Sequence, residues 1–216
     1  MKLFTFWRSM ATFRVRIAMN IKGLEAEPIY VDLSKGHQAR PEFRDVNPAM
    51  AVPALVDDDG IVFTQSTSII EYLDERYPSP PLLPTDPAGR ARVRALAQIT
   101  VADSHPLSVP RIRTYLGREL GASEQQIVGW ARTWQSAGLD AYETLLSRDR
   151  ATGTFCHGDA AGLADICLVT HVTGAQFYGG TADGHPTVKR IFERCMADER
   201  FATAHPKRQP DAPAGI

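Results

Sequence analysis

The amino-acid sequence predicts two domains, a small mixed α/β domain followed by an all-helical domain. Three observations support this division. Short apolar strands alternate with amphipathic helices up to about residue 77. The segment 78–89 then carries five prolines, which interrupt regular structure. Beyond it the apolar residues recur at helical spacing, without a convincing strand. We therefore predict a first domain at 1–80, a linker at 81–86 and a helical domain at 87–216.

The first domain is predicted to contain the elements βαβ, a short helix and ββα, in that order. Its first helix shows apolar residues at Phe13, Ile17 and Ile21, and Gly23 is a suitable end. Parallel strands joined by a helix, followed by an antiparallel hairpin, form a small mixed sheet with helices packed on it. The predicted strands are 2–6, 27–33, 52–57 and 61–65, and the last helix is 66–77.

The second domain is predicted from five segments that share helical apolar spacing. These segments lie near 87–118, 123–147, 163–178, 186–196 and 198–204. The proline-rich end, 206–216, is predicted to be extended.

Composition narrows the class of protein. The chain has 216 residues, 44% hydrophobic and 23% charged, which is typical of globular proteins, and its net charge of −1 gives no support for nucleic-acid binding. The sequence lacks an apolar run near the roughly 20 residues of a membrane span, and the N-terminal apolar stretch is too short for a secretory signal. Cys156, Cys167 and Cys195 lack CxxC spacing, which disfavours a disulfide framework or a zinc site. We expect a cytoplasmic protein with reduced thiols, without metal, nucleic-acid or membrane partners.

Two strand-to-helix junctions are candidate anion sites. Ser9 and Thr12 lie at the first, and a hydroxyl beside a helix N-terminus can hold an anion. Gln65 and Ser66 form the second, where Ser66 is the predicted N-cap. If both helix N-termini face one edge of the sheet, that edge suits an elongated, multiply charged small peptide.

Pro53 has two interpretations. A proline at the start of a strand is usually there because it cannot donate a ladder hydrogen bond. Alternatively, the Val52–Pro53 bond is cis, and the preceding backbone groups are free to pair with an extended ligand.

Six segments spread over nearly the whole chain resemble the glutathione transferase superfamily, most closely its zeta class, which includes maleylacetoacetate and maleylpyruvate isomerases. The segments are RSMATFRVRIAMNIKG (8–23), NPAMAVPAL (47–55), QSTSIIEYLDERYP (65–78), ADSHPL (102–107), GLADICLV (162–169) and HPKRQPDAP (205–213). The resemblance implies a thioredoxin-like first domain with Pro53 cis, an all-helical second domain and a homodimer. It also implies glutathione as the cofactor and isomerisation of a maleyl-keto acid in aromatic catabolism, with glutathione transferase activity.

The resemblance further implies roles for individual residues. Ser9 would donate a hydrogen bond to the glutathione sulfur and favour its thiolate, and Thr12 is an alternative catalytic hydroxyl unless it only caps the helix. Besides Ser9, the implied glutathione-binding residues are Gln38, Val52, Pro53, Gln65, Ser66, Asp103 and His105. Asp103 would reach the γ-glutamyl ammonium across the dimer interface.

The implied substrate is a small acidic or electrophilic molecule. Arg8, His105 and Arg111 are the implied substrate-binding residues. The two arginines suit an acidic substrate, because a planar guanidinium pairs bidentately with a carboxylate. Arg14 and Arg16 are expected to be structural.

The chain also departs from the family pattern. Met10 and Ala11 replace a serine and a cysteine of the family's loop, and Gln176 stands where maleylpyruvate-type relatives carry an arginine. Two alternatives therefore stay open: a broader transferase or dehalogenase for small electrophiles, and a catalytically weak glutathione-binding protein. Gly162 is the expected N-cap of its helix, with Asp165 as the buried carboxylate of the capping box, and Pro110 is expected to kink the preceding helical segment.

Overall fold

The computed structural model describes residues 1–215, which form two compact units. The N-terminal unit contains residues 1–82 together with the end of the chain from Glu199 onward. The helical unit is Leu83–Asp198. The chain end, which the sequence assigned to the helical domain, thus groups with the first unit. Hydrogen bonds from the first helix cause this grouping, since Asn20 Nδ2 donates to the carbonyl of Arg200 at 2.8 Å.

The N-terminal unit has the predicted thioredoxin-like order of elements, and this prediction is confirmed. Its four-stranded sheet has the order β2-β1-β3-β4, with β1 parallel to β2 and antiparallel to β3, and β3 antiparallel to β4. In chain order the elements are β1 (Lys2–Thr5), α1 (Met10–Lys22), β2 (Glu27–Tyr30), α2 (Pro41–Val46), β3 (Ala54–Val56), β4 (Val62–Thr64) and α3 (Ser66–Arg76). Each strand is shorter than the apolar run that predicted it.

Helices cover the sheet through apolar side chains that alternate along the strands. On one face, Phe4 and Ala54 pack with Phe43 of α2 in a buried cluster. Leu3 and Leu55, which are paired across β1 and β3, are buried and point to the opposite face. Helices α1 and α3 pack against each other, and α3 also contacts β3. These contacts hold the ends of the strands, and the loops that follow them, in place.

The helical unit lacks the single helix that the sequence predicted over 87–118, and that prediction is wrong. The chain leaves α4 through a π-helical turn, Ile99–Ser104, and a 3-10 turn, His105–Leu107, before α5 begins. Proline cannot donate a backbone hydrogen bond, so Pro106 and Pro110 cannot continue one helix. The helices are α4 (Pro87–Gln98), α5 (Pro110–Arg118), α6 (Glu124–Arg148), α7 (Leu163–Gln176) and α8 (Pro186–Met196), and α9 (Glu199–Ala202) follows in the N-terminal unit.

Helix α7 forms the core of the helical unit and is buried from Leu163 to Ala175. Gly162 is its N-cap residue, as expected. The Asp165 carboxylate, which is 1% exposed, accepts hydrogen bonds from the amides of Cys156 at 2.7 Å and Gly162 at 2.9 Å. Burial raises the pKa of Asp165 above its usual range, and these amide donors act against that shift. Asp165 therefore ties the preceding loop to the start of α7.

The cysteines are free and buried. Burial, with Asp165 nearby, raises the pKa of the Cys156 thiol, and burial raises the pKa of Cys195 as well. Buried, protonated thiols are poor nucleophiles. Within residues 1–215, we find no helix both long and apolar enough to cross a bilayer.

Candidate functional site

Four sequence-predicted segments meet at one end of the sheet in the N-terminal unit. Phe4 pairs with Ala54, which pairs with Thr64, while Thr5 pairs with Tyr30. The chain therefore leaves β1 toward Ser9, leaves β2 toward Gln38, enters β3 from Val52–Pro53 and leaves β4 into Gln65–Ser66 at the same end. The strand register thus places the N-termini of α1 and α3 at one edge, as the sequence predicted.

Ser9 is the N-cap of α1. Its backbone is extended, with φ −74° and ψ 114°, and its hydroxyl oxygen accepts a hydrogen bond from the Thr12 amide at 3.1 Å. The Ser9 amide donates to the carbonyl of Phe6 at 3.0 Å, which closes residues 6–9, here called the Ser9 turn. Because the oxygen only accepts in this contact, the hydroxyl proton remains available to an anion. The amides of the first helical turn and the positive end of the helix dipole lie beside it.

Thr12 lies deeper than Ser9. Its side chain is 0% exposed, and within the described residues its hydroxyl oxygen has no hydrogen-bond partner. A ligand at the surface of the turn can reach the half-buried Ser9 but not this hydroxyl. Of the two hydroxyls that the sequence left open, the burial favours Ser9.

The Val52–Pro53 peptide bond is cis, and this prediction is confirmed. Both residues are buried and precede Ala54, the first residue of β3 in the ladder. The loop before them is organised by Asn47, whose side chain donates to the carbonyl of Ala51 at 2.6 Å and accepts from the Ala49 amide at 3.1 Å. Sequence reasoning missed this role of Asn47, although an Asn-Pro pair is typical of turn initiation.

Ser66 is the first residue of α3 rather than its N-cap, so the predicted capping role is wrong. Gln65 is the N-cap residue, with φ +65°, a conformation that costs a non-glycine residue about 1–3 kcal/mol and is typical of functional sites. The Ser66 hydroxyl instead accepts a hydrogen bond from Nε of Arg14 at 2.9 Å. Arg14 is 2% exposed, so it supports Ser66 from the protein interior, in agreement with its expected structural role.

Gln38 lies in a 3-10 turn, His37–Ala39, on the segment that follows β2. Its side-chain oxygen is buried and, within residues 1–215, has no hydrogen-bond partner. A buried acceptor without a donor costs free energy, and the rest of the Gln38 residue is partly exposed.

Asp103, His105 and Arg111 belong to the helical unit. Asp103 is exposed on the π-helical turn, His105 is half-buried in the 3-10 turn, and Arg111 is exposed at the start of α5. π-helical turns occur frequently at functional sites. The break in the predicted helix therefore places Asp103 and His105 on a short stretch of irregular structure, and Arg111 at the start of the helix that follows it.

Close packing supports the π-helical turn. The Ser104 hydroxyl donates to the carbonyl of Ile99 at 2.9 Å, and the hydroxyls of Thr100 and Tyr142 are 2.8 Å apart. Gly138 of α6 permits this approach, because a Cβ there would lie 2.6 Å from the Ser104 hydroxyl oxygen and 2.4 Å from the His171 ring. No side chain larger than glycine fits at this position without a shift of the surrounding groups.

Three distant side chains hold the turn that carries His105. Trp130 Nε1 donates to the carbonyl of Leu107 at 2.8 Å, and the Tyr178 hydroxyl donates to the carbonyl of Ser108 at 3.0 Å. Gln135 Nε2 donates to the Ser108 hydroxyl at 3.1 Å. Sequence reasoning missed these residues, since local patterns do not signal contacts between distant positions.

Positive charge lies close to Gln176, where the resemblance implies that an arginine is missing. Gln176 ends α7 and is exposed. Two residues later, the Tyr178 carbonyl accepts hydrogen bonds from Arg132 at 3.0 and 3.1 Å, and the Arg113 guanidinium carbon lies 5.9 Å from the centroid of the Tyr178 ring. The helical unit therefore retains cations near this region although Gln176 itself is neutral.

Comparison with known proteins identifies similar chains over the full length. The glutathione S-transferase N-terminal domain model matches residues 3–81, and the C-terminal domain model matches residues 98–199. Maleylpyruvate isomerase from Ralstonia sp. is 43% identical over 98% of this chain and 100% of its own length.

Two solved structures have closely similar folds. One is a holo structure of maleylpyruvate isomerase, a bacterial glutathione S-transferase in the zeta class, with 43% identity, a TM-score of 0.95 and coverage of 99% of this chain and 100% of that chain. The other is maleylacetoacetate isomerase from Methylobacterium extorquens AM1 with bound malonate and glutathione, with 46% identity, a TM-score of 0.97 and the same coverage.

Proposed function

Because the chain belongs to the glutathione transferase family, in its zeta class, we propose that it is a glutathione-dependent cis–trans isomerase of the maleylacetoacetate or maleylpyruvate type. It acts in the catabolism of aromatic compounds or amino acids and also has glutathione transferase activity. The observation that carries the proposal is the Ser9 turn, which combines a hydroxyl proton with helix amides at the end of the sheet. We also propose that the protein is a homodimer and is located in the cytoplasm.

The residues at the end of the sheet fit an extended, charged tripeptide. The amides at the N-terminus of α3 and the Ser66 hydroxyl proton bind the γ-glutamyl carboxylate, with Arg14 behind Ser66. The Val52 backbone pairs with the cysteinyl residue, and the partly exposed Gln38 binds the peptide. Asp103 binds the γ-glutamyl ammonium of the neighbouring protomer's ligand.

Catalysis requires a thiolate that the chain's own cysteines do not provide, because their thiols are buried and the pKa values of Cys156 and Cys195 are raised. The chemistry supplied by bound glutathione is addition of its sulfur to the cis double bond and later elimination, with rotation in between. Ser9 donates a hydrogen bond that stabilises the sulfur anion, and the amides at the start of α1 add to this effect. Arg8 and Arg111 bind the carboxylates of the substrate, and His105 contributes to the same binding.

An assay of the purified protein tests the proposal. Glutathione is supplied together with maleylpyruvate, maleylacetoacetate or a chloroacetate-like electrophile, and formation of the trans isomer is followed alongside the loss of free thiol. We expect isomerisation that stops when glutathione is omitted. Conjugation without isomerisation would instead support the broader transferase, which the neutral Gln176 favours. Glutathione binding with an unchanged thiol pKa would reject both activities.

The substitution Arg111→Ala is expected to raise KM for the dicarboxylic substrate about 10- to 100-fold, because a charge-assisted hydrogen bond contributes roughly 1.5–3 kcal/mol. KM for glutathione should stay unchanged. Steady-state kinetics with each substrate varied in turn measures both values. Arg118→Ala is the matched control, since Arg118 is an exposed arginine at the other end of α5. Equal KM values in the two variants would contradict the role of Arg111.

A further inference from the structure

The end of the chain contacts the Ser9 turn directly. Oδ2 of Asp211 accepts a hydrogen bond from the amide of Trp7 at 2.8 Å, although the two residues are 204 positions apart. Trp7 is the second residue of the Ser9 turn, and Asp211 lies in the HPKRQPDAP segment that carries part of the family resemblance. The proposed function assigns no role to this segment.

Arg16 holds the other side of the same residue. Its Nη2 donates to the carbonyl of Trp7 at 3.3 Å, and its Nε donates to the carbonyl of Ala204 in the chain end at 3.0 Å. Burial lowers the pKa of Arg16 to about 10, while the charge of Asp211 acts in the opposite direction, so the guanidinium remains charged at neutral pH. The amide of Trp7 is therefore bound by the half-buried Asp211, and its carbonyl by the buried Arg16. These two side chains carry opposite charges that attract each other.

The chain end is itself folded in a way that presents Asp211. The side chain of Gln209 donates to the carbonyls of Thr203 at 3.0 Å and His205 at 3.1 Å, and the ring of His205 packs edge-on against Phe13 of α1. A 3-10 turn, Pro206–Arg208, begins the segment 206–216 that the sequence predicted to be extended, and residue 216 of that segment lies outside the described residues. Residues 203–211, here called the brace, thus contact both α1 and the Ser9 turn.

The brace acts on the residues assigned to catalysis. Ser9 follows Trp7 by two positions, and the Ser9 turn is closed by a single backbone hydrogen bond to Phe6. If Trp7 shifts, the position of the Ser9 hydroxyl relative to the helix amides shifts with it. A misplacement of about 1 Å in a catalytic group lowers turnover by up to about 100-fold.

We propose that Asp211 is a positioning residue that holds the Ser9 turn, and with it the hydroxyl assigned to the glutathione sulfur. This inference rests on the proposed function. A positioning residue differs from a residue that only stabilises the fold. Loss of a purely stabilising contact lowers the free energy of unfolding but does not change the pKa of the bound glutathione thiol.

The test compares wild type, Asp211→Ala and Asp211→Asn. Thiolate absorbance of bound glutathione is titrated with pH, and kcat and KM for glutathione are measured for each protein. For Asp211→Ala we expect a higher thiol pKa and a kcat lower by about 10- to 100-fold, with a smaller change in KM. Asp211→Asn keeps an oxygen acceptor for the Trp7 amide and should retain most of the wild-type pKa shift. Asp211→Ser, whose shorter side chain does not reach the amide, replaces the alanine variant if that variant does not fold.

Glu199→Ala is the matched control, because Glu199 is an acidic residue of the same chain end that pairs with Arg208 and not with Trp7. It should retain wild-type kinetics. A wild-type thiol pKa and kcat in Asp211→Ala would overturn the inference while leaving the proposed function intact. If the wild-type protein itself leaves the glutathione thiol pKa unshifted, the proposed function fails and the inference fails with it.

Discussion

Replacement of Ser9 with alanine is expected to lower kcat/KM for isomerisation about 10- to 100-fold, because a hydrogen bond to a charged group contributes roughly 1.5–3 kcal/mol. The pKa of the bound glutathione thiol should rise by about one to two units in the same variant, since each unit corresponds to about 1.4 kcal/mol. Steady-state kinetics and titration of the thiolate absorbance measure the two effects. Their agreement in free energy would show that the Ser9 hydroxyl acts on the sulfur.

The Ser9 variant also loses the N-cap of α1, which costs about 1 kcal/mol of stability. Ser123→Ala is the matched control, since Ser123 caps α6 in the helical unit through the same kind of hydrogen bond, in which its hydroxyl oxygen accepts from the amide of Gln126. The Ser123→Ala variant should show a comparable loss of stability and unchanged kinetics.

Thr12→Val separates the two hydroxyls, and wild-type turnover is expected for this variant. A large loss of turnover in Thr12→Val, together with normal turnover in Ser9→Ala, would reject the assignment of the catalytic hydroxyl to Ser9.

The substitution Asp165→Ala is expected to lower the free energy of unfolding by about 3 kcal/mol or more. The amides of Cys156 and Gly162 would lose their shared acceptor, and a buried donor without a partner costs roughly 1–3 kcal/mol. Urea unfolding followed by circular dichroism measures the change in midpoint. The start of α7, on which the helical unit packs, would be the first part to loosen.

Asp159→Ala serves as the control for this prediction. The Asp159 carboxylate also accepts two hydrogen bonds, from the amide and the hydroxyl of Thr154, but it is exposed to solvent. Water replaces the lost partner there, so the unfolding midpoint should hardly move. A similar shift in both variants would show that burial does not determine the effect of Asp165.

The sequence predicted an element well where the residues of that element themselves show its spacing or its end. Gly23, with φ +65°, ends α1 as the sequence indicated, and the helix predicted at 186–196 has the bounds of α8. The helix N-terminus that the sequence indicated near Ser9 and Thr12 is also present, since Ser9 caps α1. The break at Ile99–Ser104 was missed, since the sequence there still has helical spacing while the widened turn depends on packing against α6.

In the candidate site, too, the sequence predicted what depends on local residues and missed what depends on packing. Ser9, Gln38, Pro53 and Gln65 were all proposed from the sequence, and the strand register places their segments at one end of the sheet. The hydrogen bond from Arg14 to Ser66 and the Asn47 contacts were not predicted, because a local pattern does not show which buried polar groups will satisfy one another.

The order of secondary structure elements in the N-terminal unit, the thioredoxin-like sheet, the family and the residues at the strand ends follow from the sequence alone, because periodicity, capping residues and motifs act over a few neighbouring positions. Tertiary structure decided that the Thr12 hydroxyl is inaccessible, that the π-helical turn separates α4 from α5, and that Asp211 reaches Trp7. The physical reason is that burial and long-range hydrogen bonds depend on which distant surfaces pack together, and those pairings exist only once the chain has folded.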